Sequence, residues 1–137
     1  FMDPCNKAYS DKSLLFALSL LNIALEAGGV ALSPMLPLVT VFRGDVCRHL
    51  LRASQSDDLA VFSVVLRVVY NLFVSIKDHM KTQLEVFLTS VHLRLLRSGS
   101  QSIFTAREEL ALESLLEFCR EPAVRACIEF DDAESFK

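Results

Sequence analysis

The chain has 137 residues, enough for one domain with a real core, and 52% of them are hydrophobic, above the roughly 45–50% usual in soluble domains. Charged residues at 23% exclude a disordered chain, and four glycines with four prolines exclude a collagen-like or low-complexity one. The net charge of −3 excludes a general nucleic-acid binder.

Helical periodicity dominates from the start of the chain. Ser10 is placed to cap a first helix running to about Leu25, with Leu14, Leu18, Leu21 and Leu25 on one face. Gly28-Gly29 ends it, because glycine tolerates the left-handed conformation after a helix. Ser33-Pro34 opens a second helix that reaches about Ala53, striped by Val39, Phe42, Val46 and Leu50. Pro37 and Gly44 weaken its early turns.

Ser56-Asp57-Asp58 caps the third helix, which runs to about Ile76 with Arg67 as its one charge and apolar residues all round. That is the pattern of a helix covered on most sides. Its 18 residues also approach the minimum for a membrane span. Arg67 would cost about 2.5–3.5 kcal/mol there and Asn71 adds to that, so the expectation is a buried central helix and no transmembrane segment.

Asp78 is placed to cap a fourth helix, His79 to about Arg97, striped by Met80, Leu84, Phe87, Leu88, Val91 and Leu95. A serine- and glycine-rich linker follows at 98–102. Thr105 and Glu108 then form a capping box for a fifth helix to about Arg120, with Leu112, Leu115, Leu116 and Cys119 expected inward. Pro122 stops it and opens a short sixth helix, about Ala123 to Glu129.

No strand pattern emerges. The first two pairs of helices occupy about 43 and 42 residues, close to the roughly 40–47 of HEAT and armadillo units. The expected fold is all-α: an armadillo/HEAT-like stack of about three helical pairs, one domain over residues 1–137. Such an array buries its core between neighbouring units and leaves apolar surface at cut ends, which accounts for the excess hydrophobicity. Residues 1–13 are polar and show no apolar signal region, and because Phe1 is not a natural start the chain reads as a fragment of a larger protein.

The chemistry-bearing residues form no constellation. Cys5, Cys47, Cys119 and Cys127 make no CxxC pair, and no histidine stands at zinc spacing, so the expectation is free thiols, no metal and no cofactor. Cys47 and His49 point about 200° apart on a helix, too far for a dyad. Asp57-Asp58 reads as a cap, and Asp131-Asp132 as part of an end where residues 107–137 carry nine acidic and four basic side chains. No nucleotide-binding or hydrolase fingerprint is present. What remains is surface. Lys81, Glu85, Thr89 and His92 share one sector of the fourth helix, a polar contact strip or a solvated face. Arg43, Arg48 and Arg52 fall on roughly one face of the second and could supply about 3 kcal/mol near an anionic membrane.

Four stretches in order carry a family resemblance: LFALSLLNIALEAGG (15–29), DVCRHL (45–50), NLF with DHMKTQLEVF (71–73 and 78–87), and ELALESLLEFCR (109–120). They resemble the HUS region (homology upstream of the Sec-seven domain) of the large Arf guanine-nucleotide exchange factors, the GBF/Gea/GNOM class. The HUS box of that family reads roughly Asn-Tyr/Phe-Asp-Cys. Here Glu129-Phe130-Asp131-Asp132 keeps the aromatic–acid pair and replaces the outer two residues. The resemblance implies a non-catalytic regulatory scaffold, with nucleotide exchange residing in a separate Sec-seven domain. It implies docking through Phe130, Asp131 and Asp132 to the DCB region of the same protein or of a second copy. It also implies a cytoplasmic place at Golgi and endosomal membranes, with small GTPases as possible partners. A helical-repeat adaptor unrelated to Arf is the alternative.

Overall fold

In the computed structural model, residues 4–98, 105–122 and 124–126 are described, and all regular structure among them is helical. The first helix, α1, spans Pro4–Gly28. It begins earlier than Ser10, since Pro4 has the fixed φ that suits a first turn. Gly29 ends it at φ +49°, a left-handed conformation that only glycine adopts cheaply, and a tight turn over Gly29–Leu32 follows. Ser33 stays in the right-handed helical region, so it continues that turn and does not cap the next helix.

Helix α2 covers residues 36–53 as three consecutive pieces: an α-helical Leu36–Val41, a wider π-helical Phe42–Val46, and an α-helical Cys47–Ala53. Pro37 lies in its first turn, and Gly44 sits inside the π segment. Helix α3, Leu59–Ile76, starts where the sequence places it: Asp58 is extended and its carboxylate accepts the Ala60 N–H at 2.8 Å.

Helix α4, residues 81–98, is again interrupted by a π segment, Leu88–Leu93, between Lys81–Phe87 and Arg94–Ser98. Asp78 does not cap it. Residues Lys77–His79 form a tight turn, and Met80 takes the cap position with its side chain in the core. Helix α5, Ala106–Arg120, opens on the expected reciprocal box: Thr105 Oγ1 accepts the Glu108 N–H at 3.3 Å, and Glu108 Oε2 accepts the Thr105 N–H at 3.1 Å. Pro122 and residues 124–126 resume helical geometry, and the rest of the expected sixth helix lies outside the described residues.

Helix α3 is the centre of the stack. It packs along α1 on one side and α5 on the other, while α2 also rests on it and the second half of α4 leans on α5. Val61, Phe62, Val65, Val68, Leu72 and Ile76 are all fully buried, each contributing on the order of 1.5–3 kcal/mol by leaving water. Its mid-helix Asn71 is used as a cross-link: Nδ2 donates to Asn22 Oδ1 at 2.6 Å and to Glu26 Oε1 at 3.2 Å on α1. Arg107 of α5 reaches back, donates to the carbonyls of Ser54 and Ser56, and lies over the Phe62 ring at 4.1 Å. One side chain thereby ties the start of α5 to the turn between α2 and α3.

Among the described residues the chain is thus all-α, a helical stack in which α1, α2 and α5 pack on the central α3 and the second half of α4 packs on α5. Among the described residues, two stretches, Ser10–Leu32 and Leu59–His79, are long and apolar enough to cross a membrane. The second is the packed middle of the stack, and the first is its outermost helix.

One expectation about the core is corrected. Helix α5 buries Ala111, Ser114 and Phe118, whereas Leu112, Leu116 and Cys119 are exposed and Leu115 is half-buried. The small Ala111 and Ser114 let α5 approach α4 and α3 closely, and Phe118 fills the gap one turn on. Its ring meets Tyr70 and Phe73 edge-on, with centroids at 5.4 and 6.1 Å.

Candidate functional site

Among the described residues, exposed apolar side chains stand at the two ends of the stack, on α1 and α5, and at Val30, Met35, Leu36 and Val41, and a groove opens on the flank. On α1, Phe16, Leu20 and Ile23 recur one turn apart and are 67%, 51% and 61% exposed. At the other end Leu112 and Leu116 of α5 face outward with Glu109, Glu113 and Glu117 around them. The flank carries a groove of about 270 Å³ between α2 and α4, floored by Val69, Leu72 and Phe73 of α3.

The π segment of α2 shapes one wall of this groove. A π turn inserts one residue, so positions beyond it are rotated by about 100° relative to an unbroken helix. Arg43 and Arg48, five apart, are thereby brought to the same rim. Arg48 pairs with Asp45, and Arg43 has no ion-pair partner among the described residues. Gly44 leaves open space where a Cβ would stand. Cys47 is half-buried in the same wall, and burial pushes its thiol up to about 11, which leaves it protonated and sluggish at neutral pH. The facing wall carries Gln83, whose Oε1 is withdrawn from solvent with no hydrogen-bond partner among the described residues, and Val86, which is 44% exposed.

The residues singled out from sequence separate. Arg43 and Arg48 line the groove, while Arg52 lines a shallow depression with His49 and Asp57, so the three arginines share no single surface feature. Lys81, Glu85 and Thr89 are exposed along α4, as a contact strip requires. His92 is not part of that strip: the π segment Leu88–Leu93 turns it inward, where it is fully buried. There its Nε2 lies 3.1 Å from Ser114 Oγ, and its ring meets Phe87 and Phe118 edge-on at 6.0 Å each. Burial pulls its pKa down to about 4, opposed by the Phe87 backbone, so the imidazole is neutral at pH 7. Phe130, Asp131 and Asp132 lie outside the described residues.

Sequence reasoning missed Gln83, Val86 and Ser114. Each matters through a neighbouring helix, and a single helix's periodicity carries no such signal. Among the described residues no cluster of His, Cys, Asp or Glu could hold a metal ion.

Residues 2–136 match the family described as Sec7-like HUS, the HUS domain of Mon2/Sec7/BIG1-like proteins. The chain belongs to this HUS domain family. Among curated proteins it is similar to the ARF guanine-nucleotide exchange factor GNOM of Arabidopsis thaliana, 32% identical over 114 residues, which is 83% of this chain and 8% of GNOM. It is 34% identical over 119 residues to GNL2 of the same plant, again 8% of the relative's length. It is 30% identical over 126 residues to the Golgi-specific brefeldin A-resistance guanine nucleotide exchange factor 1 homolog of Caenorhabditis elegans, spanning 6% of that protein. No solved structure matches the chain significantly. The HUS domain is a region of Arf exchange factors distinct from Sec7, and the helical stack described above is its form in this chain.

Proposed function

We propose that this chain is the regulatory scaffold of a large Arf exchange factor, without exchange activity of its own. In this reading it docks to the DCB region of the same protein or of a second copy, and helps hold the factor at Golgi and endosomal membranes from the cytoplasmic side. The observation that carries the reading is the pair of uncovered apolar end faces, Phe16, Leu20 and Ile23 on α1 and Leu112 and Leu116 on α5. The chain spans only 6–8% of the length of these relatives, so ample chain exists in such proteins to cover those faces. Helical arrays gain stability when neighbouring units bury each other's end faces. Phe130, Asp131 and Asp132 are the further docking candidates by resemblance. Lys81, Glu85 and Thr89, and Arg43, Arg48 and Arg52, are secondary polar contacts.

The test is a pull-down of the 137-residue chain by an immobilised DCB fragment, beside a fluorescence assay of nucleotide release from Arf. Retention is expected, with no acceleration of release. Leu20→Asp with Ile23→Asp, or Phe130→Ala with Asp131→Ala, should weaken retention. Full retention by both double variants would remove these surfaces from the docking account, and accelerated release would overturn the scaffold reading.

A further inference from the structure

The flank groove differs in kind from the end faces. Stacking of further helical units consumes the two ends of an array, but it leaves a groove between two second-layer helices open. Its floor and walls are mostly apolar, from Leu51, Val69, Phe73, Leu84 and Phe87, and among the described residues the only charged side chains lining it are Arg43 and Arg48. A space of about 270 Å³ falls just below the roughly 300–1,000 Å³ of ordinary small-ligand pockets. It suits two bulky side chains presented one turn apart by a helix.

Charge and hydrogen bonding narrow the occupant. Arg43 is exposed and has no ion-pair partner among the described residues, so the rim favours carboxylates on the incoming surface. Gln83 Oε1, which has no hydrogen-bond partner among the described residues, needs a donor. A peptide carries N–H and hydroxyl donors, whereas a lipid acyl chain filling the same space carries none. We infer that the groove between α2 and α4 receives an acidic amphipathic helix of a partner protein. Two apolar side chains of that helix fill the space beside Gly44 and Cys47. Its carboxylates face Arg43 and Arg48, and a donor-bearing side chain satisfies Gln83.

The test titrates the isotope-labelled 137-residue chain with two synthetic helical peptides. Both present Leu and Tyr one turn apart, one flanked by glutamates and the other by lysines. A third arm uses phosphatidylcholine vesicles containing phosphatidylserine. The glutamate peptide should move the signals of Cys47, Gln83 and Val86 saturably, and the lysine peptide should bind about tenfold more weakly, the scale of one to two partly desolvated charge pairs. Arg43→Glu, a surface change, should reverse that preference. Val86→Asp at the rim should abolish binding of both while the remaining spectrum stays that of the fold. Equal binding of the two peptides, or shifts confined to α1 or α5, would overturn the inference. So would perturbation of the same signals by the vesicles alone. The DCB pull-down reads the end faces independently, so failure of one experiment leaves the other proposal standing.

Discussion

Helices α3 and α5 are both rich in large apolar residues, and they bury them differently. Along α3 ten residues are buried, and they lie on most sides of the helix. Along α5 three are buried, Ala111, Ser114 and Phe118, while Leu112 and Leu116 look outward. Helix α3 has a neighbour on each flank and another above it, whereas among the described residues α5 packs against α3 and α4 on one side only. Hydrophobicity says that a side chain gains from cover; it does not say which neighbour supplies it. On α5 the small residues decide the inward face, because close approach to the π segment of α4 brings Ser114 within reach of His92.

The largest expected effect tests that assignment directly. Phe118→Ala removes a ring packed against Tyr70, Phe73 and His92 and should cost about 3–5 kcal/mol in urea unfolding. Leu116→Ala, at 48% exposure, should cost about 0.5 kcal/mol or less. The reverse order would return the leucines to the core and overturn the described face of α5.

Next is the acid response of the same contact. His92 is neutral in the fold with a pKa near 4, against an ordinary value of 6.5. Between these values the unfolded chain binds more protons than the folded one, so stability rises with pH there. The contribution is complete above about pH 6.5 and is lost as pH falls toward 4, in total about 3 kcal/mol. Urea midpoints measured from pH 7 to pH 4 should show this loss, and His92→Gln should flatten it. An unchanged slope in the variant would mean that His92 is hydrated and titrates normally. Ser114→Ala leaves Nε2 without its partner and should cost about 1–3 kcal/mol at pH 7.

Most of the fold was legible because it depends on local rules. The period of the apolar residues located α3, and Asp58 and the Thr105–Glu108 box marked two helix starts as observed. The all-round apolar surface of α3 correctly implied a covered centre. What was not legible depends on insertions and neighbours. The π segments Phe42–Val46 and Leu88–Leu93 each add a residue to a turn, and no propensity marks where that happens. They place Arg43 and Arg48 on one groove rim, turn His92 inward, and leave Arg52 elsewhere. The groove arises from α2, α3 and α4 together, so Gln83 reads in sequence as one polar residue in a helix.

The smallest expected effect concerns the starts of the helices, where α3 and α5 agree. Asp58 accepts the Ala60 N–H at 2.8 Å, and Thr105 accepts the Glu108 N–H at 3.3 Å. Each satisfies an N–H that has no partner within its helix, so Asp58→Ala and Thr105→Ala should each cost about 1 kcal/mol. Asp78 is the control. It is exposed in the turn Lys77–His79, and the start of α4 carries no side-chain cap. Asp78→Ala should therefore change stability by about 0.5 kcal/mol or less. Equal losses for all three in urea unfolding would mean that Asp78 caps α4 in solution and that Met80 is not its anchor. A loss confined to Asp58 and Thr105 separates helices that start on a polar bond from one that starts on a buried side chain.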